Sequence, residues 1–375
     1  MKSLILNKLS LINYKNILSK DFMLDCKINC FVGNNGVGKT NVLDSIYHLA
    51  MSKSYFHSVS SQTINHNAEF MLIEGDFSKG DKSENIICSL KKGQKKTLKR
   101  NGKVYKKFSD HIGLIPVVMI SPYDRDLIQE GSSNRRKFID NVISQNNKTY
   151  LTQIITYQKV LSQRNALLKF FKKKQTFDLD ILKVYDDQLS ELSVPIHKTR
   201  LEFFKSFVPV FIKRYNSISQ NKESVNINYE SHLNHESLNF LLKNSLEKDR
   251  ILQYTSCGIH KDDLNFEIDQ FPIKKFGSQG QQKSFLIALK LAQFDYLKIE
   301  LNSSPILLLD DIFDKLDNNR VKQLIQLVNN DEFGQIFISD TDYDRTENII
   351  KKIDSSYKMF ELWKGILDQK VLKQF

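Results

Sequence analysis

Residues 33–40 read GNNGVGKT, the residue types that a phosphate-binding loop requires at the spacing G-x-x-x-x-G-K-[ST]. Glycines let successive backbone N–H groups turn inward around phosphate oxygens, and a helix starting at the end of the loop adds partial positive charge. Lys39 would reach the β- and γ-phosphates of a nucleoside triphosphate such as ATP, and the Thr40 hydroxyl would ligate Mg²⁺. Gly33, Asn34, Asn35, Gly36, Val37, Gly38 and Asn41 complete the cradle. The context fits, because an apolar run (INCFV) precedes the loop and a helical pattern, TNVLDSIYHLAMS, follows it. Val42, Leu43, Ile46, Leu49 and Ala50 share one broad face of that helix.

Such a loop needs an acidic residue at the end of an adjacent buried strand. Residues 306–309, ILLL, form that strand, and Asp310 and Asp311 end it. Asp310 is expected to hold Mg²⁺, directly or through water, and Asp311 to act as the base that orients the attacking water. An apolar run ending in two aspartates is common in α/β proteins, so the pair takes its meaning from the loop. Almost three quarters of the chain lies between Lys39 and Asp310. That is far more than a compact GTPase or kinase needs, and it is the layout of ATPase heads of the ABC class.

The elements that must position these groups are legible in the pattern. Strand signals dominate the first third, and Asn101-Gly102 between KKTLKR and KVYKKF predicts a two-residue hairpin turn. From about 134 to 215 the periodicity is helical with little glycine, and Pro195 is expected to break or cap one helix. Strands return at VNINYE and DDLNFEIDQF, followed by a long helix from Gln279, a helix from about Asn318, and the strands GQIFISD and KMFELWKG. The expected fold is α/β, an ABC-type P-loop ATPase head with a β-rich N-terminal sub-sheet and an inserted, mostly helical lobe. Residues 1–120 carry the phosphate loop, 121–222 the helical lobe, and 223–375 the rest of the head. Residues 277–283, GSQGQQK, open the long helix, with Ser278 placed as its N-cap.

Composition is that of a folded protein, with 41% hydrophobic and 26% charged residues. The formal charge of +12 favours a polyanionic partner, though a lysine-rich proteome gives the same surplus. The densest basic run is Lys91, Lys92, Lys95, Lys96, Lys99 and Arg100, with Lys103, Lys106 and Lys107 across the hairpin turn; Arg135 and Arg136 form a second group. A solvated hairpin and a DNA backbone contact are both open readings. The four cysteines lack zinc-site spacing. His260 with Asp262 and Asp263 reads as a turn rather than a metal cluster, since adjacent strand residues face opposite ways. No signal peptide or membrane-length apolar segment is present, so the expected location is cytoplasmic.

Taken together, GNNGVGKTN, SPYDRDLIQEGSSNRRKFID, CGIHKDDL, GSQGQQK and LLLDDIFDKLD resemble, in order, the motifs of the RecF family of recombination-mediator ATPases. The matches run from residue 4 to about 344. Ile259 and Lys261 depart from the usual Pro and Arg, and Lys15 and Phe56 stand where Arg is expected. The resemblance implies a head that binds ATP, dimerises around it and binds DNA independently of sequence. It implies work with RecR and RecO in loading RecA and supporting SOS induction, with slow hydrolysis releasing DNA. Ser278, Gln279, Gly280 and Gln281 would then contact the γ-phosphate bound by a second copy, and Leu316-Asp317 would lie at the dimer contact. Ser339, Asp340 and Thr341 stand where ABC heads often carry a γ-phosphate-sensing His, and Ser121-Pro122 where they carry a Gln. Thr341 or Ser339 as a substitute sensor and an ordinary strand-end turn are both open. Competing readings are an SMC-like tether, for which the insertion is too short, a transporter ATPase subunit, and a non-catalytic ATP-gated DNA scaffold.

Overall fold

A computed structural model describes residues 4–311, 333–353 and 355–363. The chain divides into two compact units, residues 1–124 with 293–375 and residues 125–292. The first opens with strands β1 (Ile5–Tyr14), β2 (Ile17–Met23) and β3 (Ile28–Val32), then helix α1 (Lys39–Met51). Strands β4 (Phe70–Lys79), β5 (Lys82–Lys91), β6 (Thr97–Arg100), β7 (Lys103–Val104) and β8 (Val117–Ile120) follow. The second unit holds helices α2 (Asp126–Gln129), α3 (Ser132–Asn146), α4 (Lys148–Lys174) and α5 (Leu179–Ser219), then β9 (Val225–Glu230) and α6 (Leu238–Leu252). It continues through β10 (Asp263–Ile268), β11 (Phe271–Pro272) and α7 (Ile273–Phe276) into α8 (Gln279–Leu301), whose second half belongs to the first unit. Among the described residues, strands β12 (Ile306–Asp310), β13 (Ile336–Asp340) and β14 (Tyr357–Glu361), with a helix at Tyr343–Ile350, add the remaining elements of the first unit.

Two sheets enclose α1. One is antiparallel, in the order β2-β1-β4-β5-β6-β7; the other has the order β14-β3-β13-β12-β8, with every pairing parallel. Three strands of the parallel sheet carry continuous apolar runs (VVMI, ILLL, IFI) and are buried throughout because both faces are covered. In β1 the inward residues step by two from Leu9 to Leu11. They step by three from Leu6 to Leu9, where the pairing with β4 shifts register between Leu6 and Lys8. The expected apolar stripe on α1 is instead burial nearly all round, because β12, β13 and β8 cover one side and β1, β4 and β5 the other. The predicted hairpin turn forms, with Asn101 and Gly102 both at positive φ (49° and 78°).

The second unit extends beyond 222, where returning strand signals set the expected boundary. Strands β9, β10 and β11 form their own antiparallel sheet, packed on α5 and α3, so the lobe closes only at 292. Pro195 does not break a helix. Both Pro195 and Pro209 lie inside the 41-residue α5. The carbonyls they deprive of a partner belong to Glu191 and Lys205, both exposed, so water can satisfy them. Buried along α5 are Phe203, Phe207 and Phe211, and Phe285 of α8 packs against Phe211 at a ring-centroid distance of 4.7 Å. The expected helix from Asn318 and the Leu316-Asp317 pair lie outside the described residues.

Candidate nucleotide and metal site

The phosphate loop leaves the end of β3, and the acidic pair ends β12. Strand β13 lies between them, pairing Asp340 with Val32 on one side and Ser339 with Asp310 on the other. Parallel pairing thus delivers the loop and the acidic residues to the same edge. Glycine is required where the chain passes its neighbours closely. A Cβ on Gly33 (φ +146°) would stand 2.3 Å from the Leu362 carbonyl oxygen, and one on Gly38 (φ +114°) 2.8 Å from the Asn16 side chain.

Helix α1 begins at Gly38 with no side-chain cap, which leaves its first-turn N–H groups to the loop cavity. The Lys39 ammonium donates to the carbonyls of Gly33 (2.6 Å) and Asn34 (2.9 Å). Burial lowers its pKa, and the Asp311, Asp340 and Asp310 carboxylates oppose that shift. Asn34, Asn35 and Gly36 are exposed, with Val37 half-buried beside them.

Asp310 is 4% exposed and surrounded by hydroxyls. Its Oδ1 accepts from Thr40 Oγ1 (2.8 Å) and Ser339 Oγ (2.7 Å), and its Oδ2 accepts from Ser121 Oγ (3.4 Å). Burial pushes its carboxyl above the usual range, and the Ser339 and Thr40 hydrogen bonds pull it back. Asp311 takes a left-handed conformation (φ 51°). Among the described residues its Oδ1 is buried without a hydrogen-bond partner.

Sequence reasoning missed the support of the loop. Asn16, in the β1–β2 turn, donates to the Gly36 carbonyl (3.0 Å) and accepts from Asn41 (2.7 Å). Beside it Lys15 pairs with Asp44 of α1 (2.7 Å), which also accepts from Tyr14 and Ser54. Lys15 therefore serves the scaffold. The signal was present, an Asx residue in a tight turn, but nothing local ties it to a loop twenty residues on. Asp340 stands at the possible sensor position. Its carboxylate is spent on Thr341 N–H, Arg345 and Thr346.

GSQGQQK lies in the other unit and forms a capping box. Ser278 N–H donates to Gln281 Oε1 (2.7 Å), and Gln281 N–H donates to Ser278 Oγ (3.2 Å). Gln281 also donates to Glu223, and Gln282 donates to the Gly277 carbonyl (3.0 Å) while accepting from Gln129. Gln279 is exposed and Gly280 half-buried.

The basic candidates separate. Lys91 and Lys95 are exposed on the hairpin edge, with Lys99 partly so, and the exposed Lys92 lies 3.4 Å from the Glu69 carboxylate. Lys96 is instead bound to the Ser52 carbonyl, and Arg100 is paired with Glu84. Arg135 cannot serve as a free phosphate contact. Its guanidinium grips Asp263 with two nitrogens (2.6 and 3.0 Å) and donates to the Leu127 and Glu130 carbonyls. Arg136 donates to the Asp262 carbonyl (2.8 Å). These two arginines anchor α3 to β10. The Asp262 and Asp263 carboxylates are taken by Arg200 and Arg135, and among the described residues no three His, Cys, Asp or Glu side chains form a metal cluster. Among them, too, no helix is long and apolar enough to cross a membrane. The free cysteines Cys30, Cys88 and Cys257 are buried, and Cys26 is exposed.

A parallel sheet with a P-loop on one strand and buried acidic residues two strands away, flanked by an antiparallel sheet and interrupted by a helical lobe, defines an ABC-type ATPase head. The family described as RecF/RecN/SMC N terminal domain matches residues 5–366. Identity to the DNA replication and repair protein RecF of Flavobacterium johnsoniae is 60% over 357 residues, covering 95% of this chain and 99% of that protein. Identity to RecF of Phocaeicola vulgatus is 48% over 364 residues, covering 96% and 97%. A solved structure of the recombination mediator RecF with ATP, in the RecFOR pathway, aligns with a TM-score of 0.88 at 29% identity over 98% of each chain. An Smc head from Pyrococcus furiosus, at 15% identity and a TM-score of 0.59 over 99% of this chain and 96% of that one, shares the fold. The chain belongs to the RecF family of DNA replication and repair proteins.

Proposed function

We propose that this chain is an ATP-dependent DNA-binding protein of recombinational repair and replication-fork maintenance, whose ATP-bound form is a homodimer and whose slow hydrolysis releases DNA. The observation that carries the reading is the convergence of Lys39, Thr40, Asp310 and Asp311 at one edge of the parallel sheet. The residues fit Mg²⁺ and ATP: α1 is uncapped, the donors are hard oxygens, and Asp311 keeps a buried oxygen without a partner among the described residues. Bound Mg²⁺ would neutralise charge developing on the β- and γ-phosphates. Thr40 and Asp310 would hold it. Lys39 exchanges two loop carbonyls for phosphate oxygens, at little cost because both states satisfy its ammonium. Asp311 orients the attacking water and takes its proton.

Ser278, Gln279, Gly280 and Gln281 present a helix N-terminus, and a second copy would close it over the γ-phosphate. DNA would be held through backbone charge by Lys91, Lys92, Lys95 and Lys99, with no reading of base sequence. RecR and RecO are the expected partners in loading RecA, in the cytoplasm. The locked Asp340 in place of a sensing His supports slow turnover. The test compares Lys39→Ala and Asp311→Asn. Lys39→Ala is expected to lose ATP-induced dimerisation. Asp311→Asn should dimerise with ATP, hydrolyse at least about 100-fold more slowly, and stay longer on DNA. Unchanged hydrolysis in Asp311→Asn would remove Asp311 as the base.

A further inference from the structure

We propose that Ser339 is a positioning residue that sets both acidic groups of the site at once. The proposal rests on the ATPase reading above and deepens it. A serine hydroxyl has one proton to give and lone pairs to accept with. Here the proton goes to Asp310 Oδ1 (2.7 Å), and Ser339 Oγ in turn accepts from the Asp311 N–H (3.0 Å). The Ser339 carbonyl accepts from that N–H as well (3.2 Å). The side chain is 1% exposed, and the strand around it pairs with β3 and β12, so its position is fixed.

The consequence for Asp311 is geometric. In a continuing strand, successive side chains point to opposite faces, so Asp310 and Asp311 could not serve one site. A left-handed residue at 311 ends that alternation, and such a conformation persists in a non-glycine residue only where its surroundings hold it. The bond from Asp311 N–H to Ser339 supplies that hold. The bond from Ser339 fixes the Asp310 carboxylate from the neighbouring strand β13, while Thr40 binds the same Oδ1 from α1. One hydroxyl therefore couples the metal-holding carboxylate to the water-orienting one. It is committed in both its capacities, which assigns it to positioning rather than to sensing the γ-phosphate.

The test uses the full chain with three substitutions and two independent readouts. Ser339→Ala is expected to lower kcat by about 10- to 100-fold, with the dissociation constant for ATP measured without divalent metal within about twofold of the parent. Its affinity for Mn²⁺, read by electron paramagnetic resonance of the ATP-bound protein, should fall about tenfold. Ser339→Cys keeps the volume with a weak donor and should follow Ser339→Ala, so it replaces that variant if folding fails. Ser339→Thr retains the hydroxyl and should restore both readouts. Unchanged kcat and Mn²⁺ affinity in Ser339→Ala, or a Thr variant as defective as Ala, would overturn the proposal. Absence of hydrolysis in the unmodified protein would overturn the ATPase reading instead, while the Mn²⁺ affinities still decide the role of Ser339.

Discussion

In the lobe of residues 125–292, Asp249 and Asp262 are fully buried and each lies against a buried arginine. Arg164 donates to Asp249 (2.7 Å), and Arg200 donates to Asp262 (2.6 Å) and to Asp140 (2.8 Å). In the other unit Asp310 is buried almost as deeply, yet its side-chain partners are three hydroxyls. Hydroxyls satisfy the lone pairs of a carboxylate without cancelling its charge, and burial pushes the Asp310 carboxyl above its usual range. Asp44 follows the lobe's pattern, since Lys15 neutralises it beneath α1. A buried carboxylate paired with a cation belongs to the scaffold. One dressed only in hydroxyls fits the proposed role of meeting a cation that arrives from outside.

The largest effect expected from this contrast is on stability. Arg200→Leu leaves Asp140 and Asp262 with tyrosine hydroxyls but no cation and should cost about 3–5 kcal/mol, measured by urea denaturation. Asp310→Asn removes a buried charge to which no cation is hydrogen-bonded and should cost little stability, although it would remove the proposed metal site. Equal destabilisation by the two would break the comparison.

A smaller effect comes with acid. Burial, with help from Lys96, pushes the His48 pKa down to about 3 against the pull of Asp44, and burial also lowers His260 to about 4. Both are depressed in the fold, so their contribution is complete above the unfolded value of about 6.5 and is lost as pH falls towards the folded values. For His48 the loss reaches about 2 kcal/mol at pH 5. His48→Leu should flatten the decline of Tm between pH 7 and 5, and an unchanged slope would show that His48 is not buried neutral. Asp310 has the opposite sign: its raised pKa costs stability as pH rises. Ligation of Mg²⁺ and ATP should therefore raise Tm most at neutral pH.

The smallest effect sharpens the reading of GSQGQQK. Ser278→Ala breaks the capping box and should lower stability by about 1 kcal/mol. If the same variant also abolishes ATP-induced dimerisation at temperatures where it is folded, the serine acts beyond its cap.

How far these features could be read beforehand depended on distance along the chain. The phosphate loop, the hairpin turn at Asn101-Gly102 and the cap at Ser278 are local, so residue types at fixed spacing reveal them. Asp310 was legible because an apolar run announces a buried strand. The bonds from Asn16 to the loop and from Ser339 to both aspartates depend on strand order, which no local spacing encodes. Pro195 misled for a related reason: whether a helix tolerates proline turns on the exposure of the carbonyl four residues before it. Arg135 misled because a paired arginine and a free one are identical in sequence.

The sheet order also has a consequence for biosynthesis. Strand β3, which launches the phosphate loop, is flanked by β13 and β14, and the Leu362 carbonyl sits against Gly33. The first hundred residues to leave a ribosome therefore carry the loop's sequence without the walls that shape it. Only after residue 361 has been added can β3 acquire both neighbours. Chains released early would be blind to nucleotide, so ATP binding reports that translation has passed the strand at 357–361.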